Sequence, residues 1–438
     1  MKPLRLLIAV VILAGFGAAI WYSQKNPPKP ETTTETKTVK VLNLKEDQIQ
    51  KVRVVHANGE TLELKRGDNG KWQMTEPAPY RVDESNANSL VSTLSSLDAD
   101  QVVAENNSDW QSYGLETGKF TVTVSTKDGK DHKLTVGDEA PASSVIYARL
   151  AGDNRLFALS SYMKSSLGKT APDLRDKRLL PLESDKLTRL TITNKNGTVE
   201  FARTGKGWEI SKPRALRADS FAVDDLVRAA ETAYDSVLAE DEKGAAKYSV
   251  SSPYATLEAA SAAGTQRLVI GEQKGKEKDA TTTYFAKTTA MPGVFKITQT
   301  NAESFNKKLD QFRNGRIIEL GADDPAKLEV RDGDLRLTLE KKGDRWQAGA
   351  KQPPGEKVQS LLGLLRRMQA KAYPSDDAAA QAKYGLDKAT VEVKAGNERV
   401  RFSSSADKAF AARDGDPTTY EIDPADLKEL QKSISELK

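Results

Sequence analysis

Three tryptophans set the frame of this chain. Trp208 follows Trp72 by 136 residues, and Trp346 follows Trp208 by 138. Tyr113, Tyr248 and Tyr384 recur at spacings of 135 and 136. Such a period is the length of a domain and far exceeds the ~20–45 residues of a solenoid unit. The 438 residues must therefore bury several similar cores. An element assigned to one copy has to work in the other two.

Each tryptophan follows two short stretches of alternating apolar and polar residues: 52–55 and 61–64, 190–192 and 199–201, 328–330 and 335–339. Period two puts every second side chain on a buried face, which predicts paired strands. Asn58-Gly59, Asn196-Gly197 and Asp332-Gly333 lie between them and suit the positive φ of tight hairpins. After the tryptophan the period becomes helical. Leu90, Val91, Leu94 and Leu97 share a face in copy one. Val223, Leu226, Val227, Ala230, Tyr234 and Val237 do so in copy two, and Val358, Leu361, Leu362, Leu365 and Met368 in copy three. Asp83 and Asp219 stand where a carboxylate caps free N–H groups.

Next comes Tyr113-Gly114-Leu115, with counterparts Tyr248-Ser249-Val250 and Tyr384-Gly385-Leu386. It reads as a turn in which tyrosine packs, glycine takes a left-handed angle and leucine covers the end. Strands resume near Phe120, Ala255 and Ala389 and continue through 134–137, 268–271 and 400–403. Then 146–149, 284–287 and 410–413 align, followed by 156–159, 294–297 and 419–422. A short helix closes each copy, beginning near Ser161, Asn301 and Asp423. The prediction is an α+β protein: three tandem modules of antiparallel sheet plus one amphipathic helix and a short closing helix, at 41–182, 183–320 and 321–438. Leu174-Arg175-Asp176 and Phe312-Arg313-Asn314 open matching exits from the first two.

The first 25 residues differ in kind. Lys2 and Arg5 precede an uncharged run from Leu6 to Tyr22, near the minimum for a membrane-spanning helix. Trp21 and Tyr22 suit the headgroup layer, and the leading positive charges keep residues 1–5 cytoplasmic. A cleaved signal peptide is the rival, but Ile20-Trp21-Tyr22 is a poor start for a mature chain. The expectation is one uncleaved N-terminal transmembrane helix at 1–25 in an inner membrane, with the bulk periplasmic. Residues 26–40, rich in proline and threonine, read as a tether.

At this point the chain resembles a bacterial domain-of-unknown-function family. Its members carry an N-terminal anchor with repeated tryptophan, Tyr-Gly-Leu and strand-Gly elements. The likeness is clearest over copy one, including Leu174-Arg175-Asp176; copy two has Tyr248-Ser249-Val250 and copy three has Ser403 in place of glycine. Such genes commonly lie beside gliding-motility-type ABC transporter permease and auxiliary genes. The resemblance therefore implies ABC-type permease and auxiliary subunits as partners. It supplies no catalytic residues.

Chemistry is sparse. Cysteine is absent, which excludes disulfides, thiolate metal sites, cysteine nucleophiles and a lipid-anchored cysteine. The net charge of +4 concentrates on no basic face, so nucleic acid is not an expected partner. His56 and His132 are the only histidines and have no counterparts in other copies; both read as solvated. The acidic groups Asp98/Asp100, 240–242 and Asp323-Asp324 lack the glycine and spacing of a calcium loop. Neither a catalytic residue nor a metal or cofactor site is predicted. Trp72, Trp208 and Trp346 read as core residues, and Tyr113, Gly114, Leu115, Tyr384, Gly385 and Leu386 as structural punctuation. Candidate binding-surface residues are Trp110, which is not repeated, and the basic Arg175, Arg178, Arg313 and Arg316, which could meet anionic lipid headgroups or an acidic partner; the preferred reading of the arginines is pairing with neighbouring acids that fixes how one domain sits on the next. The leading functional expectation is a non-catalytic accessory or scaffold subunit of an ABC-type transport complex. The alternatives are a free-standing cell-wall or glycan-binding protein, and a hydrolase built from scattered carboxylates.

Overall fold

The computed structural model describes residues 38–141, 144–205, 207–240, 246–248, 252–275, 281–321 and 323–437. The fold is α+β, mostly antiparallel sheet with a few helices. Two compact units divide between Lys177 and Arg178. Module one forms the first unit; modules two and three form the second. The expected anchor at 1–25 and most of the tether lie outside the described residues. Among the described residues no helix is long and apolar enough to cross a membrane.

Module one shows the plan. Its eight-stranded sheet runs, in spatial order, Trp72–Glu76, Thr61–Arg66, Ile49–His56, Phe120–Thr126, Asp131–Glu139, Val145–Leu150, Leu156–Ser160 and Gln101–Ala104. Each neighbouring pair is antiparallel. The first three strands form a meander ending at the tryptophan. The helix Glu84–Ser95 then carries the chain to the opposite edge, and the Tyr-Gly-Leu turn returns it to pair with the first strand. Val52, Val54, Leu62, Leu64, Val122 and Val124 point to one face and meet Leu90, Val91 and Leu94 of the helix. Each such buried side chain contributes about 1.5–3 kcal/mol of transfer free energy. Module three repeats the order with eight strands, and module two adds Leu216–Arg217 at one edge to make nine.

The structure moves several predicted boundaries. Val39–Lys40, read as tether, pairs with Asp98–Ala99. Val41 and Leu42 follow into the core, both donating N–H groups to Leu97 O. Leu179-Leu180 and Ile317-Ile318 do the same for the next two modules, with Leu180 N–H on Ala230 O and Ile317 N–H on Met368 O. The cores of modules two and three thus begin a few residues before 183 and 321, because these apolar pairs cover the end of the following long helix. In module two that helix is Ser220–Glu231. Tyr234 therefore lies beyond it, packed on Phe295, and Val237 belongs to the edge strand Ser236–Ala239. Module three's closing helix, Pro424–Ser435, is as long as the main helices.

Register corrects another alignment. Ala148 pairs with Val136, Ala286 with Ile270, and Ala411 with Phe402, so Phe410 corresponds to Tyr147 and Phe285, one residue from its predicted place. These aromatics are the seats of the repeated tyrosines: Tyr113 on Tyr147 at 4.8 Å, Tyr248 on Phe285 at 5.2 Å, and Tyr384 on Phe410 at 4.8 Å between ring centroids. Gly114 and Gly385 have φ of +65° and +72°, as the turn requires, and Leu115 and Leu386 are buried. Gly137 is also forced, since a Cβ there would lie 2.2 Å from Tyr113 O. Module three solves the same contact differently: Ser403 donates its hydroxyl to Tyr384 O at 2.5 Å.

The three repeated tryptophans, Trp72, Trp208 and Trp346, are core residues, each at most 4% exposed. Asp83 and Asp219 cap their helices through side-chain oxygens, as expected. Trp72 Nε1 donates to Asn88 Oδ1 at 3.2 Å and Trp208 Nε1 to Asp224 Oδ1 at 3.3 Å. In module three the helix Gly355–Arg367 starts after Pro354 without a side-chain cap and closer to its tryptophan. No acceptor reaches Trp346 Nε1, which is buried without a partner. An unpaired buried donor costs about 1–3 kcal/mol, whereas a satisfied one contributes ~1 kcal/mol. Trp72→Phe should therefore destabilise its module by roughly 1–2 kcal/mol more than Trp346→Phe destabilises module three. Hydrogen-exchange protection of the two modules measures this; equal losses would contradict the assignment.

Candidate functional site

The exit segments place the arginines. Asp83 N–H donates to Leu174 O and Asp219 N–H to Phe312 O, both at 2.8 Å. Backbone bridges Val82 to Arg175 and Ala218 to Arg313 complete the return of each exit to the residues ahead of its own long helix. Three residues later, Arg316 bridges to Gln369, just past the long helix of module three. This short stretch joins modules two and three within one compact unit.

Arg313 is the centre of that joint. Its side chain is 3% exposed. One guanidinium nitrogen donates to Asp376 Oδ1 at 2.6 Å and to Thr418 Oγ1 at 3.0 Å, and the other to Asp376 Oδ2 at 3.2 Å. Thr418 in turn donates to Asp376 Oδ1 at 3.0 Å. The guanidinium carbon sits over the Tyr373 ring, 3.7 Å from its centre. Arg217, at the end of module two's extra strand, donates to the carbonyls of Asn314 and Arg316 and to Glu319 Oε1. Bidentate pairing and ring stacking together use the features that distinguish arginine from lysine.

Electrostatics follow from this burial. Tyr373 and Tyr420 have hydroxyl pKa values above the ordinary phenolic range because burial disfavours the phenolate, a push that Arg313 and Arg217 partly offset. Glu398 is raised by burial, though its carboxylate accepts from Glu319 N–H at 2.8 Å and from Arg413 at 2.8 Å. Asp324, of the acidic pair Asp323-Asp324, receives Gln359, Lys341 and Arg366, which hold its pKa down at about 2.

The remaining predicted residues are not brought together. Arg175 stacks on Tyr80 at 3.4 Å within module one, and the backbone of exposed Arg178 bridges to Ala233 within module two. Arg316 is exposed. Trp110 is half-buried, with Arg149 over its ring at 4.1 Å. The histidines are half-buried rather than solvated. His56 contacts Lys169 O at 3.3 Å, where Asn194 holds Phe305 O and Lys307 O in module two and Asp332 receives Gln431 in module three. It clasps the closing segment, a shared structural task met by three different residues. No group of three or more His, Asp or Glu side chains suited to a metal occurs among the described residues. Tyr373, Asp376, Thr418 and Arg217 were not anticipated. Their positions across the sequence carry no linear signal, and only the basic exit pointed towards them.

Removing one partner of a buried, hydrogen-bonded ion pair costs ~3–5 kcal/mol because the other charge is stranded. Arg313→Ala should therefore destabilise the second unit by about that amount, and Asp376→Ala by a similar amount. The double variant should cost clearly less than the sum, which urea unfolding of all four proteins would measure. Additive losses would show that the two side chains do not act as a pair.

Comparison with curated proteins and with solved structures returns no match. A family described as a domain of unknown function, DUF4340, matches three times, at residues 72–209, 208–356 and 354–438. The first two matches run from the tryptophan of one module to the next tryptophan or just beyond, so they register the same repeat with a shifted start. Covering well over half of the chain, they establish that this protein belongs to the DUF4340 family, as three tandem copies of its domain.

Proposed function

We propose that the protein is a non-catalytic, periplasm-facing scaffold subunit of an ABC-type transport complex, tethered to the inner membrane by residues 1–25. The observation that carries the scaffold part is the Arg313 joint. Buried polar groups fix one module to the next, a use of side chains that specifies orientation more than it adds stability. A chain that repeats one module and locks the joint between two of them suits a rigid spacer presenting surfaces to partners. The transporter and membrane parts rest on the sequence resemblance and on the apolar N-terminal run.

The rival readings have less support. Burial of Trp72, Trp208 and Trp346 in the three cores counts against a glycan surface built on them. For a carboxylate-based hydrolase, the acids with raised pKa among the described residues are Glu398, which accepts from the Glu319 backbone and Arg413, and Asp426, in the first turn of the closing helix Pro424–Ser435.

Crosslinking the tagged full-length protein in native membranes, followed by mild-detergent purification and mass spectrometry, tests the proposal. Recovery of a permease and an ATPase in fixed stoichiometry is expected. Recovery of the protein alone, or with wall fragments only, would overturn the transporter assignment.

A further inference from the structure

The threefold repeat separates what the fold needs from what one copy adds. Module two carries a surface cavity of about 610 Å³, within the ~300–1,000 Å³ range of small-molecule sites. Asn194, Tyr254, Thr256, Glu272, Lys274 and Tyr284 supply most of its chemistry. Tyr254 and Tyr284 meet edge to face with centroids 5.3 Å apart. Strand register gives their counterparts elsewhere. Tyr254 precedes Ala255 and so matches Lys119 and Thr390; Tyr284 matches Ile146 and Ala409. Neither position is aromatic in another module, so the fold itself does not demand the pair.

The polar groups around the tyrosines divide into two sets. Asn194 is engaged in structure, donating to the carbonyls of Phe305 and Lys307. Tyr254 is held in place by Asn306 Nδ2, which donates to its hydroxyl at 3.1 Å and leaves that hydroxyl free to donate outward. By contrast, among the described residues the exposed carboxylate of Glu272 and the exposed ammonium of Lys274 have no hydrogen-bond or ion-pair partner, and the hydroxyl of half-buried Tyr284 is equally uncommitted. Burial raises the Tyr284 pKa, keeping that hydroxyl a neutral donor and acceptor across the ordinary pH range.

We infer that this cavity of module two binds a saccharide, with Tyr254 and Tyr284 contacting the apolar C–H face of a pyranose ring and Glu272 and Lys274 bonding its hydroxyls. An amphipathic ring needs both surfaces at once: an aromatic wall for its C–H face, and unpaired donors and acceptors at the rim for its edge. Glu272 accepts from hydroxyls, Lys274 donates to them, and Tyr284 can do either. The inference does not depend on a transporter partner.

The test uses the full-length protein in nanodiscs, because maltoside or glucoside detergents would compete for the site. Isothermal titration with the β-1,4-linked tetramer of N-acetylglucosamine and with cellotetraose measures soluble saccharide, and co-sedimentation with isolated sacculi measures wall glycan. Binding in either arm is expected, weakened about tenfold or more by Tyr254→Ala. Tyr284→Phe and Glu272→Gln keep the local packing and should each cost about fivefold, with an unchanged melting curve. No binding in any arm would overturn the inference. So would binding that survives all three substitutions, or binding of a proline-rich peptide in place of the saccharides. The crosslinking result for a permease is unaffected by these outcomes, so the two proposals fail separately.

Discussion

Everything in each module hangs on the first strand being hydrogen-bonded on both sides. Ile49–His56 pairs with the strand that follows it and with Phe120–Thr126, which lies far along the chain. Its counterparts, Leu187–Asn194 and Lys327–Asp332, do likewise. Once the centre of the sheet is fixed this way, the chain has to leave by one edge, cross and return. The amphipathic helix provides the crossing while covering the apolar face, and the Tyr-Gly-Leu turn provides the return. The aromatic seat beneath each tyrosine and the tight space at Gly137 then follow, since the turn must lie directly against the sheet.

Local and periodic features were legible in the sequence because they arise from nearest-neighbour geometry. Strand alternation, hairpin glycines, the helix face and the carboxylate caps all depend on spacings of a few residues. The errors arose where distant parts of the chain decided the outcome. Apolar spacing ran on through Tyr234 and Val237, yet pairing with Met291–Ile297 claimed Val237 for a strand. Leu179-Leu180 falls within the span 41–182 assigned to module one, but the pair is buried in the next core. Phe410 was displaced by one because two alanines follow it, and only the pairing partner tells which alanine faces inward.

Arg313 illustrates the same limit at the candidate site. Its basic neighbourhood was visible, but not whether it faced solvent or a partner. The structure answers with an acid 63 residues ahead and a threonine 105 residues ahead in the chain. Replacing such a cluster by apolar side chains is often neutral or stabilising. What the polar version adds is direction: a bidentate, stacked guanidinium tolerates little rotation, whereas an oily contact can slide. For a joint between two modules of the same fold, such a restriction sets how one sits on the other.

Repetition also changes how departures from the pattern are weighed. Where three copies meet one structural need with different side chains, as His56, Asn194 and Asp332 do at the end of the central strand, variation signals tolerance. Where module two places Tyr284 beside an open cavity and the other copies place the buried Ile146 or Ala409 at that position, tolerance does not account for the difference. Tyr284 is of the second kind, and its edge-to-face neighbour Tyr254 stands where the other copies have Lys119 and Thr390. Duplication relieves each module of having to do everything, so new chemistry is expected in a single copy, at a position the shared core leaves free.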